Sequence, residues 1–328
     1  MADIKVLLVG AGALGSIYAW RLQEGGIHVT CVCRSNFSAV ERDGFRIKSD
    51  AYGESTYRPS RVVASVEAAV ADGTTFDYII FCTKALPNLS DNSSIIAPAV
   101  GPSTVILLIQ NGIGIEEPFA ARYPQTHIVS VIAYIDVSQP TPGAIQHGKV
   151  SALMMGLHST HGNSEAVAGG LGQLSQVWND QGVMCVVVDE IQPLRWLKLV
   201  WNASFNTVSV VSGGNNTRVM LDDPLCKDLI RNIMEEVYRI GEAATGAPLP
   251  TRMGMDGPDA FINETDTRDV AVEPSMLMDF LARRPMEHDV ILRRPLEVAR
   301  RLGVSAPHME AVYAMLVMVE KTNTGARL

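Results

Sequence analysis

The sequence has few charged and few aromatic residues, and it has no long basic run. Charged residues make up 19% and aromatic residues 6% of the 328 residues, and the formal net charge is −8. Proteins whose main partner is nucleic acid usually carry a basic patch, so this composition argues against such a partner. Apolar runs such as 104–109 are too short to span a bilayer. The first residues lead directly into a predicted strand, so we expect no signal peptide and no membrane attachment.

Cysteine is also scarce, and the spacing of the cysteines excludes the usual zinc motifs. There are five cysteines, an odd number. Four of them, Cys31, Cys33, Cys82 and Cys185, lie in stretches that look like strands, which predicts reduced, buried thiols. Cys31 and Cys33 would point to opposite faces of a strand, which makes them poor partners in a metal site. The sequence therefore predicts no metal and a cytoplasmic protein.

What the sequence does contain is a glycine-rich turn between a predicted strand and a predicted helix. The apolar run 4–9 is typical of a parallel strand buried on both faces. Gly10, Gly12 and Gly15 follow in the spacing G-x-G-x-x-G, then a helix to Glu24 and a second strand over 28–33. This order of elements is that of a dinucleotide-binding βαβ unit.

Each glycine has a physical role in such a unit. The first permits a tight turn, the second lets the backbone approach a pyrophosphate, and the third lets helix and strand pack closely. The helix N-terminus then offers unpaired N–H groups to the phosphates. The predicted cofactor loop consists of Gly10, Ala11, Gly12, Ala13, Leu14 and Gly15. The alternative is a glycine-rich turn used only for packing.

The residue at the end of the second strand predicts which dinucleotide is bound. NAD sites tend to place an acidic residue there, about 20 residues past the glycines. Here the position holds Arg34, whose guanidinium suits a 2′-phosphate. The sequence therefore favours NADPH/NADP over NAD. The alternative is that Arg34 is an ordinary surface residue and that Glu41 or Asp43 reaches the ribose.

Two later strands are followed by polar residues at their carboxyl ends, where open α/β sheets bind ligands. Lys84 follows the apolar run 76–82, and Asn111 follows the run 103–109. Lys84 is placed to meet the nicotinamide half of the cofactor or an anionic substrate, unless it is a solvated loop lysine. Asn111 is placed to bind cofactor and substrate, unless Asn111 and Gly112 form a simple turn.

Beyond Asp189 the periodicity becomes helical. Residues 127–189 alternate between strand and turn signals, and we predict that they form the second half of the cofactor-binding sheet. The fold class is therefore α/β, with an N-terminal Rossmann-type doubly wound sheet over 1–189 and a C-terminal all-α domain over 190–328. The predicted helices of that domain are 193–212, 224–244, 258–264, 275–283, 286–302 and 307–321.

The predicted helix 193–212 has an unusual polar face. Lys198, Asn202 and Asn206 are spaced four residues apart, so in an α-helix they share one face. Solvated faces usually mix charges, and asparagine is a mediocre helix former. The pattern indicates a functional face; the alternative is a polar face packed on the first domain.

Several short motifs, in their order and spacing, resemble the ketopantoate reductase (2-dehydropantoate 2-reductase) family over nearly the whole chain. They are G-A-G-A-L-G at 10–15, T-K-A at 83–85, Q-N-G at 110–112, K-L-V-W-N-A-S-F-N at 198–206, P-S-M-L-M-D at 274–279 and R-P-M-E-H-D at 284–289. The resemblance implies a Rossmann domain, a helical domain and NADPH-dependent reduction of a 2-keto acid, most simply ketopantoate to pantoate.

The resemblance also implies roles for single residues. Lys198 matches the general acid, and Glu287 matches a carboxylate of the catalytic and cofactor site. Lys84 and Asn111 match positions near the nicotinamide and the substrate. The positions that match substrate-binding residues are Asn111, Asn202, Asn206, Asn216 and Ser275.

The sequence departs from the family pattern near Glu287 and Lys84. Met286 and His288 flank the glutamate where the family often has threonine and an apolar residue, and Pro87 closely follows Lys84. Glu287 alone could be a first-turn carboxylate stabilised by the helix dipole, and Ser275 could be only an N-cap.

Two other functions stay open at this point. One is a 3-hydroxy acid dehydrogenase-like oxidoreductase, and the other is a non-catalytic NADPH-binding sensor. The predicted partners are a small-molecule 2-keto acid and, as an option, a second copy of the chain in a homodimer.

Overall fold

The computed structural model describes residues 4–159, 164–251 and 256–323, which divide into two compact units. The first unit comprises residues 1–84, 91–110 and 115–191, and the second comprises 85–90, 111–114 and 192–328. The main division lies after Ile191, and two short segments from the first half of the chain cluster with the second unit.

The first unit is built on one sheet whose central strands are buried on both faces. All residues of the strands Tyr78–Phe81 and Val105–Ile109 are buried, as expected for parallel strands covered by helices. In chain order the described strands are β1 Lys5–Val9, β2 His28–Val32, β3 Phe45–Ser49, β4 Gly53–Tyr57, β5 Arg61–Val63, β6 Tyr78–Phe81, β7 Val105–Ile109, β8 His127–Thr141, β9 Ala144–Ser159 and β10 Met184–Val187.

The strand order reverses direction at β1. The order is β4-β3-β9-β8-β7-β6-β1-β2-β5, with β10 also paired to β9. The neighbouring strands β5, β2, β1, β6, β7 and β8 are all parallel. In this order β1 lies between β2 and β6. This is the doubly wound Rossmann-type arrangement, and ligands bind beside such a switch point at the carboxyl ends of the strands. The predicted fold class is confirmed.

The region 127–189 extends this sheet beyond β8. β9 runs antiparallel to β8, and β3 and β10 each run parallel to β9. The sequence predicted an alternation of strand and turn in this region, but β9 is continuous over Ala144–Ser159. Register shifts near Ile135 and Ser138 let the two long strands stay paired across the irregular stretch.

Helices and one 3₁₀ segment complete the first unit. Leu7, Leu8, Ile17 and Leu22 are fully buried, so strand and helix share one core. Burial raises the pKa of Cys33 to about 12 and that of Cys185 to about 11, so these thiols are protonated at neutral pH. The described helices are α1 Ala13–Glu24, α2 Phe37–Asp43, α3 Val66–Val70, α4 Glu117–Arg122 and α5 Ser164–Asp180, with a 3₁₀ helix over Asn92–Ala99.

In its described residues the second unit is helical. Its helices are α6 Gln192–Trp201, α7 Thr207–Val211, α8 Thr217–Asp222, α9 Pro224–Thr245, α10 Gly257–Asp266, α11 Ser275–Leu281, α12 Arg294–Leu302 and α13 Pro307–Asn323. The sequence did not predict α8, which is short and begins at the N-cap Asn216. Residues 252–255, between α9 and α10, lie outside the described part.

Two predicted α-helices contain a π-helical turn. The predicted helix 193–212 consists of α6, a π turn over Asn202–Asn206 and α7. In the predicted helix 286–302, a π turn over Asp289–Arg293 precedes α12, whose second residue is Pro295. Proline has no N–H and clashes with the carbonyl four residues earlier, which favours such a local rearrangement.

None of the helices in residues 4–159, 164–251 and 256–323 is both long and apolar enough to cross a membrane. Within the same ranges no three His, Cys, Asp or Glu side chains come together as a metal site would require.

Candidate active site

The glycine loop leaves β1 and opens α1, and each of its glycines has a different reason to be glycine. Gly10 has φ +100°, and a Cβ there would lie 2.7 Å from the backbone of Cys82 and Thr83. A Cβ at Gly15 would lie 2.5 Å from the Gly10 carbonyl oxygen. A Cβ at Gly12 would meet no atom within 4 Å. Gly12 therefore faces open space, which is what the backbone approach of a phosphate requires.

The rest of the loop is shaped to receive an anion. Ala13 and Leu14 begin α1, and no acidic residue occupies its first turn. The Asn36 side chain is buried and donates from Nδ2 to the Ala11 carbonyl oxygen at 2.7 Å. Asn36 was not predicted to have a role, and the only signal in the sequence was its position directly after Arg34 and Ser35.

A cavity of about 190 Å³ lies beside the loop in the first unit. Gly10, Arg34, Thr83, Ser65 and Glu67 are among its lining residues. Arg34 is exposed, so its guanidinium is accessible to a phosphate group. Thr83 Oγ1 is buried and has no hydrogen-bond partner in the described residues. An unsatisfied hydroxyl on a cavity wall fits a ligand with polar groups, as a dinucleotide has.

Lys84 is exposed and follows the carboxyl end of β6. Its carbonyl oxygen accepts from Asn92 Nδ2 at 3.0 Å, and Gln110 Nε2 donates to the neighbouring Thr83 carbonyl oxygen at 2.7 Å. These bonds hold the backbone on which Lys84 stands.

In the second unit, Lys198 and Asn111 are in direct contact. Lys198 lies on α6, and its Nζ donates to Asn111 Oδ1 at 2.8 Å. The two residues are 87 positions apart in sequence, so the pairing is tertiary. Both side chains are partly buried. A lysine in this setting is a proton donor fixed at one place.

The polar face of the long helix is not a solvated surface. Asn202 is 7% exposed and Asn206 is 1% exposed. The two asparagines are the first and last residues of the π turn. A π turn holds more residues than an α turn, so the predicted α-helical spacing of these side chains is wrong between 202 and 206. Buried hydroxyls of Ser204 and Thr207 donate to the carbonyl oxygens of Val200 and Ala203 in this stretch.

Asn206 has one end engaged and the other unsatisfied. Its Oδ1 accepts from Ser275 Oγ at 3.3 Å and from the Met276 backbone N–H at 3.2 Å. Two donors on one atom identify it as the oxygen. Nδ2 is buried and has no partner in the described residues. A buried amide N–H without an acceptor is costly, so a ligand oxygen is the expected partner.

Ser275 and Asn216 both lie at helix starts, but only Asn216 is an N-cap. Ser275 is the first residue of α11, whose N-cap is Pro274, so the reading of Ser275 as an N-cap is wrong. Asn216 is itself an N-cap, because its Oδ1 accepts from the Val219 N–H at 3.2 Å. Its amide nitrogen is the end that would donate to an oxygen of a substrate.

Glu287 is buried in an irregular segment that precedes the second π turn. It is 8% exposed, and its Oε1 accepts from the Ala85 N–H at 2.9 Å. Glu320 on α13 accepts from the N–H of Met286 at 2.7 Å and lies 2.6 Å from His288 Nε2. Burial alone would raise the pKa of Glu320, but these hydrogen bonds and the charge of His288 lower it below its usual value. Met286 and His288, the unusual neighbours of Glu287, are thus both hydrogen-bonded to the carboxylate of Glu320.

The comparisons with known proteins agree along the whole chain. Residues 6–159 match the family model "Ketopantoate reductase PanE/ApbA", and residues 190–320 match its C-terminal counterpart. The chain belongs to the ketopantoate reductase family. This family consists of oxidoreductases that act on CH–OH groups.

Individual members of the ketopantoate reductase family are similar over their full length. A 2-dehydropantoate 2-reductase of Nostoc sp. is 27% identical, with 100% of this chain and 99% of the relative covered. The crystal structure of a 2-dehydropantoate 2-reductase from Methylococcus capsulatus is 34% identical, with a TM-score of 0.85 and 98% of each chain covered. A D-mandelate dehydrogenase with NADH and anilino(oxo)acetate shares the fold, with a TM-score of 0.83 at 19% identity.

Proposed function

We propose that this ketopantoate reductase family member reduces a 2-keto acid to a 2-hydroxy acid with NADPH, and that 2-dehydropantoate (ketopantoate) is the first substrate to test. The observation that carries the proposal is the hydrogen bond between Lys198 Nζ and Asn111 Oδ1. The proposal is also supported by Asn206 of the same helical segment, whose buried amide nitrogen has no partner in the described residues.

Lys198 is the proposed general acid. The carbonyl oxygen of the keto acid gains negative charge during reduction, and an ammonium group stabilises that charge and then donates the proton. Asn111 holds the ammonium group through its side-chain oxygen. Because deprotonated Lys198 has no proton to give, the reductive kcat is expected to fall at alkaline pH.

Asn202, Asn206, Asn216 and Ser275 are the proposed substrate-binding groups, together with Asn111. Asn206 Nδ2 is a donor that needs an acceptor, and the carboxylate or hydroxyl oxygens of a 2-keto acid supply one. Glu287 is proposed as a fixed carboxylate of the site. Its bond to the Ala85 N–H keeps the segment after Lys84 in place.

The glycine loop, Arg34 and Lys84 are the proposed cofactor-binding groups. When bound, the nicotinamide supplies the hydride to the C2 carbonyl carbon. Gly12 and the N-terminus of α1 would receive the pyrophosphate, and Arg34 would pair with the 2′-phosphate. Asn111 and Glu287 complete the proposed cofactor contacts.

The choice of NADPH over NADH depends on Arg34. We expect Arg34→Asp to weaken NADPH binding by roughly 2–4 kcal/mol, because one charged pair is lost and a repulsion is added. NADH binding should change little. Fluorescence titration with both coenzymes measures this, with exposed Arg58→Asp as the control variant. Equal kcat/KM for NADH and NADPH in the unmutated chain would show that Arg34 does not select the coenzyme.

A steady-state assay with NADPH and a panel of 2-keto acids, ketopantoate first, tests the function. Reduction of at least one 2-keto acid supports the proposal. Oxidation of 3-hydroxy acids without keto acid reduction would favour the dehydrogenase alternative. Coenzyme binding without any turnover would favour a sensor. A homodimer and a cytoplasmic location remain predictions, which light scattering and cell fractionation test.

A further inference from the structure

Arg195 is a buried arginine on α6 that the proposed chemistry does not use. It is 3% exposed and lies three residues before Lys198. A guanidinium group is permanently charged, so its burial is costly unless hydrogen bonds compensate. Its Nη1 donates to the Gly112 carbonyl oxygen at 2.9 Å. In an α-helix Arg195 falls on the same side as Lys198 and Asn202, and no pattern in the sequence marks it as buried.

The turn that Arg195 contacts is held at a second point. The Ile113 N–H donates to the Val290 carbonyl oxygen at 2.9 Å. Gly112 has φ +89°, and a Cβ there would lie 2.5 Å from Val290 Cβ. The backbone of the turn is thus pressed against the π turn Asp289–Arg293, and only glycine fits.

The residue just before this clamped glycine is Asn111. Its Oδ1 accepts from Lys198 Nζ at 2.8 Å, so α6 contacts the turn twice. Arg195 contacts the backbone of the turn, and Lys198 contacts its side chain. Arg195 fixes the Gly112 carbonyl oxygen, and this restrains the backbone that directly follows Asn111.

We propose that Arg195 is a positioning residue, which fixes the turn 111–114 so that Asn111 holds the ammonium group of Lys198 in its reactive place. This inference rests on the proposed function of Lys198 as general acid. A catalytic group displaced by about 1 Å costs on the order of 100-fold in rate, so a remote anchor can control kcat.

The test compares two variants. Arg195→Met keeps a long side chain but loses the N–H groups that donate to Gly112, whereas Arg195→Lys keeps an ammonium group as donor. We expect Arg195→Met to lower the kcat for keto acid reduction about 10–100-fold and to leave the Kd for NADPH within about twofold. Arg195→Lys should restore most of kcat. Arg21→Met is the control, since Arg21 is half-buried and donates to the Gln181 carbonyl oxygen at 2.8 Å in the first unit.

A double-mutant cycle with Asn111→Ala separates positioning from general destabilisation. If Arg195 acts through Asn111, the double variant should lose no more kcat than Asn111→Ala alone. Additive losses would overturn the proposal. If Arg195→Met does not fold, Arg195→Gln, whose shorter amide cannot take over the same bond, is used in the same cycle.

Hydrogen exchange tests the anchor without reference to any substrate. The amides of residues 112–113 should exchange at least about tenfold faster in Arg195→Met and at the original rate in Arg195→Lys. Unchanged exchange in Arg195→Met overturns the proposal whatever the activity. If the unmutated chain reduces no 2-keto acid, the proposed function fails, and exchange alone decides whether Arg195 anchors the turn.

Discussion

Lys198 and Asn206 lie on one continuous helical segment, but their side-chain nitrogens differ in hydrogen bonding. Lys198 already has Asn111 as an acceptor, whereas the amide nitrogen of Asn206 has no partner in the described residues. The first arrangement suits a group that must stay in place while it gives up a proton. The second suits a group that waits for a ligand oxygen.

Replacement of Lys198 tests the proton donor. We expect Lys198→Ala to lower kcat by roughly 10²–10⁴-fold, the usual scale for general acid catalysis, with the Kd for NADPH unchanged. Stopped-flow reduction and fluorescence titration measure the two quantities. Lys227→Ala is the control, because Lys227 pairs with Asp266 in the same unit. A Lys198→Ala variant with most of its kcat would assign the proton to Lys84 or to water.

Replacement of Asn206 by aspartate separates its two ends. Asn206→Asp keeps an oxygen for the Met276 N–H but exchanges the unsatisfied donor for a negative oxygen. A lost hydrogen bond to a charged group is worth about 1.5–3 kcal/mol, so the KM for the keto acid should rise at least about tenfold. Binding of NADPH should not change. Exposed Asn263→Asp on α10 is the control, and an unchanged KM in Asn206→Asp would remove Asn206 from substrate binding.

At the scale of elements, the glycine loop makes a prediction that distinguishes folding from binding. Gly12→Ala meets no atom within 4 Å and should fold normally, but its methyl group should block the pyrophosphate. In Gly10→Ala the alanine must adopt a positive φ, and its Cβ would clash with the backbone that follows β6. The free energy of unfolding should therefore fall by at least about 2 kcal/mol. Thermal unfolding and NADPH titration of both variants check this. Tight NADPH binding by Gly12→Ala would place the pyrophosphate elsewhere.

Sequence periodicity predicted the elements well where one regular structure runs without interruption. β1, α1 and β2 follow the predicted pattern, because their apolar spacing reflects burial in one core. The π turn Asn202–Asn206 was not predictable, because periodicity assumes a constant rotation per residue. Buried serine and threonine hydroxyls bond to the helix backbone in this stretch, and such bonds often bend helices.

The candidate site was predictable as a set of residues but not as a set of contacts. The resemblance named Lys198, Asn111 and Asn206, yet the Lys198–Asn111 bond and the vacant end of Asn206 depend on tertiary packing. Arg195 was missed for the same reason. Its partner is a backbone carbonyl 83 positions away, and no local pattern marks it.

At the scale of the whole molecule, Glu320 links stability to pH. Its pKa is lowered in the folded protein, so its carboxylate stabilises the fold above the unfolded pKa, and this is lost as pH falls through the folded pKa. We expect Glu320→Gln to lower the Tm by about 4 °C at pH 7, with the difference shrinking toward pH 3. Exposed Glu310→Gln is the control. A Tm difference that does not change with pH would contradict the linkage.

The two units alternate along the chain, and this limits where the chain can be divided without loss of a contact. The chain enters the second unit at residues 85–90 and again at 111–114, before it leaves the first unit at Ile191. A gene divided at that point would encode a helical half without Asn111, so Lys198 would lose its partner to the other polypeptide. A helical half moved onto a different sheet domain would therefore keep the Lys198–Asn111 bond only if the segment 111–114 moved with it.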